Sequence, residues 1–279
     1  MSARLIVNAD DYGHTAGVSA GIRAAHLHGM VTSTSAMMNR PNAVQALPLA
    51  IQTCPQLGLG LHLVLTSGRP LLPAGKLASL VQPDGRFFSQ DGFIARLEQI
   101  DLNEVQAEWH AQVELFTRTT GRLPDHLDSH HHASYFTPGL FECMLLLAEE
   151  CHCPIRKPFG VDSASMADYL PFEMDGAAQN EIHSLIDRYT PITTDRFTDR
   201  FYDQGVSRSN LLAILAEIAV EANHKTVELM CHPAVVDEEL RAVSSYNDNR
   251  AHELALLQDP EVLSHLQTLG IKLIHYGQI

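Results

Sequence analysis

The chain has 279 residues, 45% of them hydrophobic, enough for one large α/β domain or two ordinary ones around a buried core. Its formal net charge of −14 argues against a nucleic-acid partner, whose phosphates call for a basic footprint, and against an anionic membrane surface. No run of about 18 apolar residues occurs, so no membrane-spanning helix is expected. The start, Met1 to Asp11, has a short apolar run with acids directly behind it, unlike a signal peptide. Five cysteines, mostly in apolar segments, fit a reduced, cytoplasmic protein.

In chain order, Leu5-Ile6-Val7-Asn8-Ala9 reads as a buried parallel strand that ends in the polar turn Asp10-Asp11-Tyr12-Gly13. The spacing predicts a helix over 16–28 stopped by Gly29, a strand over 31–38, and a helix over 42–54 that Pro48 should interrupt or restart. In the strand over 57–65 leucines hold one parity, while Gly58, Gly60, His62 and Val64 hold the other. His62 then stands at the end of a roomy face. Residues 66–101 carry Pro70, Pro73, Pro83 and two Asp-Gly pairs, an excursion of the kind that shapes a binding mouth. A helix over 103–119 ends at Gly121, and a strand over 126–132 follows. Next come a helix over 138–150, with Pro138 in its first turn, and a short strand or strand end at 154–158. Residues 159–208 form a second excursion with a helix near 179–189. A helix over 209–222 precedes a strand over 226–231 that Glu228 breaks. One broken helix or two short ones fill 246–270, and a last strand covers 271–276.

This alternation argues for a parallel α/β protein. Asp10-Asp11, His62, His130, Arg156 and His232 all fall at or near the ends of apolar runs, where (β/α) barrels carry their active sites. The expected fold is therefore a distorted or incomplete (β/α) TIM-like barrel, a single domain over residues 1–279 with excursions at about 66–101 and 159–208. An open doubly wound sheet would use fewer strand ends.

The densest chemistry lies in His126-Leu127-Asp128-Ser129-His130-His131-His132. Read as a strand, it points Asp128, His130 and His132 to one face, and Ser129 and His131 to the other. One carboxylate with two imidazoles suits zinc and similar divalent ions. Asp10 and Asp11 would face opposite ways in a strict strand, but a turn at the strand end can aim both into one site. One can then hold a metal while the other takes a proton.

The blocks Leu5-Ile6-Val7-Asn8-Ala9-Asp10-Asp11-Tyr12-Gly13, Gly60-Leu61-His62, His126 to His132 and Met230-Cys231-His232-Pro233 resemble, in the same order, the YdjC-like carbohydrate deacetylases, a group that includes chitooligosaccharide deacetylases. The resemblance spans residues 4 to about 236. It implies a distorted (β/α) barrel and one divalent ion held by Asp11, His62 and His130. It also implies Asp10 as general base and His232 as general acid, acting on an N-acetylated amino sugar or chitooligosaccharide. Tyr12 stands where a phenylalanine is common. Asp128 is expected to orient a ligand histidine, Arg156 to steady Asp10 or bind the sugar, and His132 to line or support the site. The donor set favours zinc, cobalt or manganese, whereas the resemblance also admits magnesium. Association into a homodimer is a general expectation for such enzymes. Two other readings stand beside this one: a metal-dependent phosphoesterase, which asks for more ligands, and a non-catalytic sugar-binding or regulatory barrel.

Overall fold

The first strand, β1 (Arg4–Tyr12), is buried from Leu5 to its end, which places it at the centre of a sheet covered on both faces. The structure, a computed structural model, describes residues 2–157, 170–220 and 226–279. Its strands β1, β2 (Ser33–Ala36), β3 (Gly58–Leu63), β4 (Leu127–Ser129), β5 (Arg196–Thr198), β6 (Thr226–Cys231) and β7 (Lys272–Leu273) form one sheet, and every pairing is parallel. The order is β4-β3-β2-β1-β6-β5, with β7 also on β1. Because β6 takes one edge of β1 over Arg4–Ala9, β7 and β2 share the other. β7 pairs at Arg4 and Leu5, and β2 pairs from Asn8 onward.

The sheet curls. Ile155 extends it beyond β4 through a parallel bridge to Leu127. In a flat sheet that segment would lie four strand spacings, roughly 19 Å, from β1. Yet the Arg156 side chain binds Asp10 on β1 and Glu228 on β6 at hydrogen-bond distance. The two ends also meet, since the Ile155 N–H donates to the Ile192 carbonyl at 2.9 Å, just before β5. A curled parallel sheet of this kind is consistent with a distorted barrel.

Helices α1 (Ala16–His28), α2 (Pro41–Thr53), α4 (Leu102–Thr120) and α5 (Pro138–Cys151) follow the sequence periodicity closely. Thr15 and Thr137 cap α1 and α5 by accepting from the N–H groups of Val18 and Leu140. Gly121, at φ 75°, closes α4 in the left-handed conformation that glycine adopts without cost. Pro48 does not interrupt α2. It lies on the exposed face, where water can take the carbonyl it leaves unpaired.

The first excursion contains α3 (Gln90–Ile94) between short 3-10 turns. The described part of the second carries α6 (Gly176–Tyr189) and β5, so it is more regular than its sequence suggests. Its residues 159–169 lie outside the described ones, as do residue 158 of the expected strand over 154–158 and the expected end of the helix over 209–222, seen here as α7 (Arg208–Val220). The stretch 246–270 is two helices, α9 (Asp248–Leu257) and α10 (Pro260–Thr268). An additional short helix, α8 (Glu238–Val243), precedes them. The last expected strand shrinks to β7 and a 3-10 turn over Tyr276–Gln278.

The glycine face of β3 is not open space. A Cβ on Gly60 would lie 2.2–2.5 Å from the His126 ring, which stacks on Tyr276 with centroids 4.0 Å apart. The small residue makes room for that buried imidazole.

Candidate active site

The pairing of β1 with β2 breaks register between Ala9 and Tyr12, and Asp11 sits there at φ 70°. This bulge undoes the strict alternation of a strand, so adjacent carboxylates reach neighbouring parts of one cavity. Both Asp10 and Asp11 line it, with His14, His62, His130, His131, His132, His232 and Arg250 among the other walls. A left-handed φ costs a non-glycine residue energy, and such strain persists where packing over-determines it. Gly13 follows at φ 87°, against the backbone of Ala43, where no side chain fits.

His62 leaves the end of β3 with its ring fixed. Nδ1 lies 2.7 Å from Asp128 Oδ1, and Asp128 Oδ2 accepts from Ser35 Oγ at 2.8 Å. Nε2 is thereby left facing Asp11 Oδ1 at 3.5 Å. His130 Nδ1 lies 3.2 Å from the same oxygen. Asp11 Oδ1 is buried and has no hydrogen bond of good geometry. One donor atom each from Asp11, His62 and His130 falls within 4.8 Å of the others. A buried carboxylate oxygen without a partner, facing two imidazole nitrogens, is a donor set that a divalent ion fits.

The groups Asp10, His62 and Asp128 also converge, but a guanidinium already fills that position. Arg156 donates through Nη1 and Nη2 to the two oxygens of Asp10, both at 2.7 Å, and through Nε to Glu228 at 2.8 Å. Its Nη2 also lies 3.1 Å from Asp128 Oδ2. Arg156 is therefore a fully buried hub for three carboxylates and makes no surface salt bridge. The Tyr276 hydroxyl donates to the far oxygen of Glu228.

The seven-residue histidine cluster departs from its expected geometry. β4 stops at Ser129, and His131 and His132 both take φ 57° inside a 3-10 turn. The face shared by Asp128, His130 and His132 in an extended strand is therefore lost. Asp128 supports His62 from behind, and His130 reaches Asp11. His132 packs edge-on to Phe197 with centroids 5.8 Å apart. His131 stacks on His130 at 3.9 Å and lies 3.0 Å from Thr66 Oγ1.

On the opposite wall, His232 follows β6, with Nε2 4.0 Å from Asp10 Oδ2. Its backbone N–H donates to Glu253 on α9, which also accepts from the Tyr246 hydroxyl. Arg250, on the same helix, donates from Nη2 to Asp11 Oδ2 at 2.6 Å. Arg250 and Glu253 escape a search of strand ends because they come from a helix far along the chain. Glu228 did carry a signal: a lone acid in an apolar strand must find a partner when buried.

Electrostatics separate the histidines. Burial disfavours the His62 cation, but Asp128, Asp10 and Asp11 outweigh it and push its pKa up to about 9. Burial, with only partial relief from Asp11, brings His130 down to about 4. Burial and the Arg250 charge bring His232 down to about 4 as well. Asp11 is held well below the usual carboxylate range, since Arg250, His130 and His14 overcome its burial.

A sequence profile described as YdjC-like protein matches residues 4–268. The chain belongs to the YdjC-like family. This YdjC-like protein is 34% identical over 278 residues to a carbohydrate deacetylase of Enterococcus faecalis, covering 99% of this chain and 98% of that one. It is likewise 34% identical over 277 residues to a chitooligosaccharide deacetylase of Yersinia enterocolitica, with 99% of each chain covered. Among solved structures it resembles one from Enterococcus faecalis V583, described as a cellobiose-phosphate cleavage protein. There the TM-score is 0.85 at 32% identity, covering 100% of this chain and 99% of the other.

Proposed function

We propose that this protein is a divalent-metal-dependent carbohydrate deacetylase that removes the N-acetyl group of an amino sugar or chitooligosaccharide. The observation that carries the reading is the convergence of Asp11, His62 and His130 beside Asp10 and His232 in one cavity. The names of the full-length relatives support the acetylated-sugar substrate. Asp11, His62 and His130 would hold the divalent ion, which when bound would supply Lewis acidity towards the acetyl carbonyl and the attacking water. The two imidazoles favour zinc, cobalt or manganese, while magnesium prefers oxygen donors.

The chain's own groups then move one proton. Asp10 accepts it from the attacking water, with its carboxylate plane set by Arg156 and by Asn8, whose amide donates to Oδ1 at 2.8 Å. His232, neutral at the start, lies 4.0 Å away and receives the proton. It then donates it to the amine nitrogen as the carbon–nitrogen bond breaks, because an unprotonated amine leaves poorly. Asp128 holds the His62 ring with Nε2 directed at Asp11 throughout.

One observation favours a variant of this path. Both oxygens of Asp10 already accept from Arg156, so neutral His232 itself is placed to take the water proton and return it to the amine. The phosphoesterase alternative asks for a second ion, and among the described residues the only other convergent group contains the Arg156 guanidinium among its carboxylates. Acetate release from N,N′-diacetylchitobiose, measured after chelation and after adding back single metals, tests the proposal. Activity that survives complete chelation would remove the metal from it.

A further inference from the structure

One side of the cavity mouth is aromatic and apolar. Tyr202 lines it with 41% of its surface exposed, and Val243, which lines the same cavity, is 51% exposed, although both are large hydrophobic residues. Tyr202 does not project freely. Its ring packs on Tyr246, with centroids 4.4 Å apart and planes inclined by 33°, and lies 5.2 Å from the His232 ring. Tyr246 is anchored in turn. Its hydroxyl donates to Glu253 and accepts from the Asp203 N–H, and the Arg250 guanidinium sits 5.5 Å from its ring centroid.

Glu253 therefore holds two things at once: the backbone of His232 and the tyrosine on which Tyr202 rests. The spacing between the aromatic face and the His232 imidazole is fixed by one buried carboxylate. Sequence spacing gave no sign of this, because Tyr202, Tyr246 and Glu253 come from the loop after β5, the loop after α8, and α9.

We infer that Tyr202, backed by Tyr246, is a stacking platform for the pyranose ring that carries the acetamide. The inference rests on the deacetylase reading above. The leaving nitrogen must come within hydrogen-bond reach of His232, and that nitrogen is bonded directly to a carbon of the pyranose. The ring is thus confined to about one ring width from the imidazole, and the Tyr202 ring centroid lies 5.2 Å from that of His232. The C–H face of a pyranose is apolar and matches an aromatic face, while its hydroxyls remain at the edges for polar groups and water. Tyr202 would set which substrate binds and how it is oriented, without taking part in the chemical step.

The test compares a sugar with an acetyl donor that has no pyranose. Wild-type protein, Tyr202→Ala, Tyr202→Phe and Tyr202→Trp are assayed with their bound metal on N,N′-diacetylchitobiose and on 4-nitrophenyl acetate. For Tyr202→Ala, kcat/KM on the sugar should fall about tenfold, the scale of one aromatic contact, mainly through KM. Turnover of the ester should stay within about twofold. Phe and Trp, which keep an aromatic face, should retain the sugar activity within about threefold. Equal losses on both substrates, or unchanged sugar activity in Tyr202→Ala, would overturn the platform while leaving the deacetylase reading intact. A wild-type protein that cleaves the ester but no N-acetylated sugar would overturn the deacetylase reading and the platform with it.

Discussion

Two adjacent aspartates differ in their partners, and the duties proposed for them divide accordingly. Asp10 is gripped by Arg156 through both oxygens, whereas Asp11 keeps one buried oxygen without a partner, facing two imidazoles. Asp11→Asn should therefore lose bound metal and activity together, read by elemental analysis and acetate release. Asp10→Asn should keep its metal and lose turnover by about a hundredfold or more, the scale of an acid–base group. Near-normal turnover in a metal-replete Asp10→Asn protein would transfer the base role to His232. Replacing His232 by alanine should likewise cost about a hundredfold on the amide. An activated ester, whose leaving group needs no proton, should suffer far less. Equal loss on amide and ester would remove the acid role of His232 and leave it as the base or as a positioning group.

At the scale of elements, three local breaks build the site: the bulge at the end of β1, the halt of β4 at Ser129, and the glycine parity of β3. Each turns a regular strand into a point from which a side chain can be aimed. Gly60 offers a direct check, because it lies two residues before His62 on the same face. Gly60→Ala would press a methyl group into the His126 ring, and that ring is wedged between β3 and Tyr276. Urea titration should show a loss of about 1–3 kcal/mol, the usual cost of overpacking. Displacement of β3 should also weaken metal binding through His62. An unchanged midpoint would mean that His126 moves aside at no cost.

For the whole molecule, the proposed metal binding would be linked to protonation. A metal-bound imidazole nitrogen cannot keep its proton, and in the ion-free chain the surrounding carboxylates push His62 up to about 9. At pH 7 the entering ion should therefore release close to one proton. Titration calorimetry in buffers of different ionisation enthalpy counts it, and zero release would exclude His62 as a protonated resting ligand. His62, raised above its unfolded value near 6.5, contributes stability below that pH and loses it as pH rises through about 9. His130 and His232, lowered to about 4, act oppositely. The unfolded chain takes up their protons first, so stability falls as pH drops from about 6.5 towards 4. Thermal melts in chelator should thus show greatest stability around neutrality. Added metal should raise the midpoint with its concentration at pH 7, and much less near pH 5.

The parallel α/β character and the boundaries of the long helices are legible in residue order, because burial on both strand faces and a 3.6-residue spacing leave direct marks there. Short motifs at strand ends also singled out Asp10, Asp11, His62, His130, Arg156 and His232. A strand end is a local feature, and polar groups there stand out against an apolar run. How these groups pair with one another depends on long-range packing. The left-handed turn at Asp11 coincides with the break in register between β1 and β2, and the end of β4 sends His132 towards Phe197 instead of to the face of Asp128. Arg250, Glu253, Tyr202 and Tyr246 could not be read from spacing, since curling of the sheet brings loops and helices from the last third of the chain against β1. Contacts across more than 200 residues, such as Arg250 with Asp11, leave no period in a single sequence.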